Sequence, residues 1–170
     1  MRWTGLAIQD LGTLGGQNSI GFGINASGQV VGEADTGLFY LGATNHDAVV
    51  WTGTTPTDLG TLGGSRSTGA GINVFGDVVG MSFTLGEAAN HAFVYTGGTM
   101  YDLSTLIQPG SGVIGLQATA INDSGQIAGF GTISGQRRAL RLDPVATPEP
   151  ASALLLFGGG SLLALRRRRG

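Results

Sequence analysis

The chain contains no cysteine and no lysine, only two histidines, and few charged residues of either sign. Without cysteine there is no disulfide and no thiolate metal site, although that absence does not identify a compartment. With two imidazoles, a zinc site would have to be completed by carboxylates. All nine basic residues are arginine, and four of them fall in the last five positions. Through Pro150, eleven acidic residues face Arg2, Arg66, Arg137, Arg138 and Arg141, a balance of −6. A body of that sign excludes nucleic acid or anionic lipid as a partner held by bulk electrostatics. What the chain has in excess is glycine, 32 of 170 residues. With no collagen period, such enrichment means either low complexity or a turn-rich β repeat.

Internal repetition decides between the two. Asp10-Leu-Gly-Thr-Leu-Gly-Gly16 returns as Asp58-Leu-Gly-Thr-Leu-Gly-Gly64 and, degraded, as Asp102-Leu-Ser-Thr-Leu106. Gly23-Ile-Asn-Ala-Ser-Gly-Gln-Val-Val-Gly32 returns as Gly71-Ile-Asn-Val-Phe-Gly-Asp-Val-Val-Gly80 and as Ala120-Ile-Asn-Asp-Ser-Gly-Gln-Ile-Ala-Gly129. Ala48-Val-Val-Trp-Thr-Gly53 is matched by Ala92-Phe-Val-Tyr-Thr-Gly97 and loosely by Ala139-Leu-Arg-Leu142. The period of 44 to 49 residues belongs to stacked or circular repeat architectures.

Each unit holds four short strand patterns. Strand a, Ile20 to Ile24, alternates large residues with glycine, and the glycine side leaves room for another backbone to approach. Asn25-Ala-Ser-Gly28 has the residues of a type I turn, with Gly28 suited to the αL position of a bulged hairpin; Gly76 and Gly125 recur there. Strand b covers Gln29 to Gly32, strand c Ala48 to Trp51, and strand d leads through Asp58-Leu-Gly-Thr-Leu62. The expected fold is all-β: tandem four-stranded antiparallel repeats, propeller-like and incomplete, with a β-solenoid as the alternative. Trp3-Thr4-Gly5 aligns with Trp51-Thr52-Gly53, so the chain starts in mid-repeat, and no N-terminal signal peptide is recognisable. The expectation is the C-terminal part of a longer protein, or a misassigned start.

Candidate chemistry is sparse. His46 and His91 are offset by one position in the repeat and are not equivalent ligands. Gly21-Phe-Gly-Ile-Asn-Ala26 imitates a dinucleotide fingerprint but no helix pattern follows it. Asp10, Asp58 and Asp102 occupy one repeated position, which suits a turn-bonding carboxylate better than calcium, since no Asp-x-Asp cluster is present. No catalytic, cofactor-binding or metal-ligating residue is assigned.

The C-terminus is different in kind. Pro148-Glu149-Pro150 interrupts regular structure; an uncharged apolar run extends from Ala151 to Leu165; Arg166, Arg167, Arg168 and Arg169 follow. As a helix, the run would rise about 22 Å against a hydrocarbon core of about 30 Å, a short span that snorkelling arginines can help to accommodate. The arginines favour the cytoplasmic side. Tripeptide, span and arginine cluster together resemble the PEP-CTERM sorting signal of Gram-negative bacteria. The resemblance implies processing by the membrane-embedded protease exosortase, from an inner-membrane intermediate with its body on the periplasmic side. The repeats, with His91-Ala92-Phe93, resemble extracellular His-Ala-Phe (HAF) repeats; His46-Asp47-Ala48-Val49 and Arg138-Ala139-Leu140 depart from that tripeptide.

The expected organisation is therefore a β-repeat domain over 1–143, a Pro-rich linker over 144–150, a transmembrane segment over 151–165 and a cytoplasmic tail over 166–170. The expected role is a cell-surface or extracellular-matrix interaction protein, not an enzyme, with extracellular polysaccharide or surface proteins as partners beside exosortase. The alternative is a fragment of an extracellular β-propeller enzyme acting on glycans.

Overall fold

The computed structural model describes residues 6–40 and 42–145. Trp3-Thr4-Gly5, the Pro148-Glu149-Pro150 motif, the apolar run and the arginine tail lie outside the described residues. Among the described residues no helix is long and apolar enough to cross a membrane.

The repeat appears as three units. Unit 1 consists of β1 (Ser19–Ile24), β2 (Val30–Tyr40), β3 (Ala43–Thr52) and β4 (Thr55–Asp58). Unit 2 consists of β5 (Gly63–Ile72), β6 (Val78–Thr84), β7 (Asn90–Thr96) and β8 (Thr99–Asp102). The short helix α1 (Leu103–Leu106) leads to unit 3, formed by β9 (Ile114–Ile121), β10 (Ile127–Ile133) and β11 (Gln136–Leu142). Within every unit, neighbouring strands pair antiparallel in chain order.

Three boundaries differ from the sequence reading. β2 and β3 run well beyond the short segments expected. The fourth strand ends at Asp58, because the Asp58 carboxylate accepts the Gly60 N–H at 2.8 Å and turns the chain there. Units 1 and 2 are also not separate sheets. A parallel bridge between His46 and Arg66 joins β3 to β5, giving one sheet of eight strands and one of three.

The turns follow the expected chemistry. Gly28, Gly76 and Gly125 have φ of 77°, 85° and 74°. In each turn the asparagine three residues earlier organises the loop: Asn73 Oδ1 accepts the N–H groups of Phe75 and Asp77, as Asn25 and Asn122 do at their own turns. A second glycine class is set by space. At Gly32, Gly80 and Gly129 a Cβ would lie 1.8, 1.9 and 2.1 Å from the carbonyl oxygens of Ile20, Thr68 and Gln117 on the neighbouring strand. The register shifts beside each of these positions, so the bulge brings backbone against backbone and only hydrogen fits.

Successive units pack face to face. Val31, Ala48 and Val50 of unit 1 meet Ile72, Val78 and Phe93 of unit 2, with Leu59 of the connection between them. Val79 and Ala92 of unit 2 repeat the arrangement against Leu116, Ala118 and Ile127 of unit 3, with Leu103 in the Leu59 position. Leu11, the third copy of that leucine, packs with Ala34, Val49 and Trp51 on the far side of unit 1. The first strands of successive units approach closely, as their glycines require: a Cβ on Gly71 would sit 2.8 Å from Ala120 Cα. Face-to-face packing in chain order is common to propeller blades and to stacked repeats. Among the described residues, however, no strand of unit 3 pairs with unit 1, and the ring is not closed.

Candidate functional site

The repeated polar residues divide into three groups, each built by the local fold. The first is the Asp-Leu-Gly-Thr-Leu-Gly-Gly connection. Asp10 accepts the Gly12 N–H at 2.9 Å, as Asp58 accepts that of Gly60. Thr13 and Thr61 each donate a hydroxyl hydrogen bond to the glycine carbonyl three residues on, and accept the N–H two residues on. In the third copy Ser104 replaces the glycine that holds positive φ in the other two, and the segment winds into α1 instead. Asp102 then caps that helix by accepting the Ser104 N–H at 2.8 Å. The turn-bonding role expected of the three aspartates is the one found.

The second group lies between units. Asn25 Nδ2 donates to the Asn73 carbonyl at 2.9 Å, and Asn73 Nδ2 donates to the Asn122 carbonyl at 3.3 Å, so the three turns form a ladder. Thr68 Oγ1 of unit 2 donates to Glu33 Oε2 of unit 1, and His46 Nε2 lies 3.6 Å from the same oxygen. Ser67 Oγ accepts the Ala48 N–H at 2.7 Å and donates to the Gly60 carbonyl. These contacts fix one unit against the next.

The third group occupies the position just before the repeated alanine, where Asp47, His91 and Arg138 are equivalent. Asp47 faces Asp58 across β3 and β4. Burial, reinforced by the charge and hydrogen bonding of Asp58, pushes the Asp47 carboxyl up to about 6. In unit 2, His91 Nδ1 lies 2.6 Å from Asp102 Oδ2 and 3.4 Å from Ser104 Oγ. Burial alone would raise the Asp102 carboxyl, but hydrogen bonds from His91 and Ser104 outweigh it and hold the group below the ordinary carboxylate range.

The sequence reading missed this Ser-His-Asp juxtaposition. Its signal was the alignment of Asp102 and Ser104 with the strand opposite His91. The geometry is not that of a nucleophile relay, in which the carboxylate holds one ring nitrogen and the serine uses the other. Here both groups meet the same nitrogen. Among the described residues no group of three or more His, Asp or Glu could hold a metal ion. His46 and His91 fall on opposite faces of their units, as their one-residue offset requires.

The sorting residues Pro148, Glu149, Pro150 and Arg166 to Arg169 lie outside the described residues, and it is there that the comparison with known proteins is informative. The family model described as the PEP-CTERM protein-sorting motif matches residues 146–169. No curated protein and no solved structure matches the chain. The chain thus carries a C-terminal sorting signal of the kind handled at the membrane by exosortase, and the signal marks it as a secreted protein.

Proposed function

We propose that this chain is an exported surface or extracellular-matrix protein whose β-repeat body binds or spaces other components, and that exosortase removes its C-terminal signal during delivery. The match over residues 146–169 carries the reading. Its chemistry is consistent: the apolar run holds the chain in the inner membrane as a transient span, the arginines keep its end cytoplasmic, and the Pro-Glu-Pro segment sits at the periplasmic boundary.

A non-catalytic role for the body is supported by how its polar side chains are used. The repeated aspartates, asparagines and threonines close turns or join units, and His91 pairs with Asp102, which caps α1. The partners that suit such a body are extracellular polysaccharide or other surface proteins.

The test is replacement of Pro148, Glu149 and Pro150 by alanine in a chain carrying an export leader, expressed in a host with an exosortase. The variant is expected to stay in the inner membrane with its tail attached, while the parent leaves it. Equal release of the two would remove the sorting signal from the account.

A further inference from the structure

The charge of the body is unevenly placed. Residues 6–106 carry eight acidic residues and one arginine, a balance of −7, whereas residues 107–145 carry two aspartates and three arginines, a balance of +1. All three arginines, Arg137, Arg138 and Arg141, lie on β11 and are exposed. Both aspartates are already engaged: Asp123 accepts the Val74 N–H at 2.9 Å, and Asp143 accepts from Arg141 Nε and from Gln126. Among the described residues Arg137 and Arg138 form no ion pair.

Repeat alignment shows what these arginines replace. The face that receives the next unit is built from Val31, Ala48 and Val50 in unit 1 and from Val79, Ala92 and Val94 in unit 2. Their counterparts in unit 3 are Ala128, Ala139 and Arg141. Beside them, Phe130 and Arg137 stand in place of Glu33 and His46, which meet Thr68 of the next unit. The Arg137 guanidinium carbon lies 3.7 Å from the centre of the Phe130 ring. That cation–π contact holds the charge on the face and reduces the ordering cost of using it. Seating another apolar unit here would desolvate Arg141 where the other units present valine, at a cost valine does not carry. A face that had only to stay soluble could carry acid, as the rest of the body does. Unit 3 instead departs from its own repeat toward positive charge.

We propose that this face of unit 3 binds a carboxylate-bearing polysaccharide; the choice of polymer rests on the extracellular role proposed above. Arginine's planar fork takes a carboxylate through two parallel hydrogen bonds. Arg137 and Arg141 are four residues apart on one strand face, about 13 Å, which suits charges spread along a chain of hydroxyl-bearing rings. Exposed Gln117, opposite Phe130, can exchange hydrogen bonds with hydroxyls between them. Nucleic acid fits less well. Duplex DNA presents a charge every ~1.7 Å, and the arginines of one strand do not offset its repulsion by an acidic body. Single strands need open aromatic faces for stacking, and a face of Phe130 is occupied by Arg137.

The test uses the full chain in nonionic detergent with Arg166, Arg167, Arg168 and Arg169 replaced by glutamine, so that the tail cannot supply the charge. Polygalacturonate is the probe, its fully methyl-esterified form and duplex DNA are the comparisons, and isothermal titration calorimetry reads binding. Polygalacturonate should bind, more weakly as salt rises. The ester keeps most hydroxyls but loses the charge and should not bind, and DNA should bind at least about tenfold more weakly than polygalacturonate. Arg137→Gln and Arg141→Gln should each weaken polygalacturonate binding at least about tenfold with circular dichroism unchanged, while Arg66→Gln, on β5, should leave it unchanged. Absence of polygalacturonate binding, equal binding of the ester, DNA binding as tight or tighter, or arginine variants that bind like the parent would each overturn the proposal. None of these outcomes bears on removal of the tail by exosortase, which replacement of Pro148, Glu149 and Pro150 tests separately.

Discussion

Replacing Gly80 and Gly76 by alanine separates the two reasons this chain uses so much glycine. Gly76 holds φ of 85° with nothing within 4 Å of where a Cβ would stand, so alanine there incurs a conformational cost alone, about 1–2 kcal/mol. Gly80 has no such φ, but a Cβ would lie 1.9 Å from the Thr68 carbonyl oxygen and 2.9 Å from the Phe93 ring. The oxygen contact is about 1.4 Å short of the ~3.3 Å at which carbon and oxygen ordinarily meet. Backbone on the neighbouring strand cannot swing aside as a side chain can, so β5 and β6 must part.

Two or three ladder hydrogen bonds at roughly 1 kcal/mol each, with displacement of the buried Phe93, put the cost at about 3 kcal/mol or more. That is a large share of the roughly 5–15 kcal/mol that stabilises a typical domain. Urea unfolding of the full chain in mild detergent, followed by circular dichroism, measures both variants. The expected order is Gly80→Ala well below Gly76→Ala in midpoint. If Gly80→Ala were the milder change, the close approach of strands at the bulge would be wrong.

Other consequences follow from the polar groups. Because the Asp47 carboxyl titrates near 6 in the folded chain and near 3.8 when unfolded, the folded state binds more protons between those values. This group's contribution to stability is therefore present at low pH and lost as pH rises through about 6. Asp47→Asn should raise the unfolding midpoint at pH 7 and flatten its pH dependence between about 4 and 6; an unchanged slope would refute the raised Asp47 carboxyl. Asn73→Ala removes side-chain bonds to Phe75, Asp77 and Asn122 at a buried position and should cost about 2–4 kcal/mol. The more exposed Asn122→Ala should cost about 1 kcal/mol, and equal losses in urea unfolding would argue against the inter-unit ladder.

Much of the fold was legible because the repeat states each turn three times. Asn-x-x-Gly predicted positive φ at Gly28, Gly76 and Gly125, and the small residues of strand a predicted close backbone approach, which Gly71 makes against Ala120. Strand d was misplaced because its Leu-Gly-Thr-Leu tail looks extended until the Asp58 side chain turns it. The β3–β5 bridge was not legible either, since it depends on how two units are set against each other. The His91–Asp102–Ser104 cluster required pairing register as well as alignment. For the sorting signal the reverse holds: Pro148 to Arg169 was read from residue type and order alone, by solvent preference rather than tertiary contact.

The most direct measurement is the identity of the protein's C-terminus at the cell surface. The full chain is expressed behind a cleavable export leader in an exosortase-bearing host, and surface material is analysed by mass spectrometry. Cleavage near Pro148-Glu149-Pro150 predicts peptides covering the β repeats and none from Ala151 onward. Surface protein still carrying Arg166 to Arg169 would contradict the account and leave the tail as an ordinary anchor.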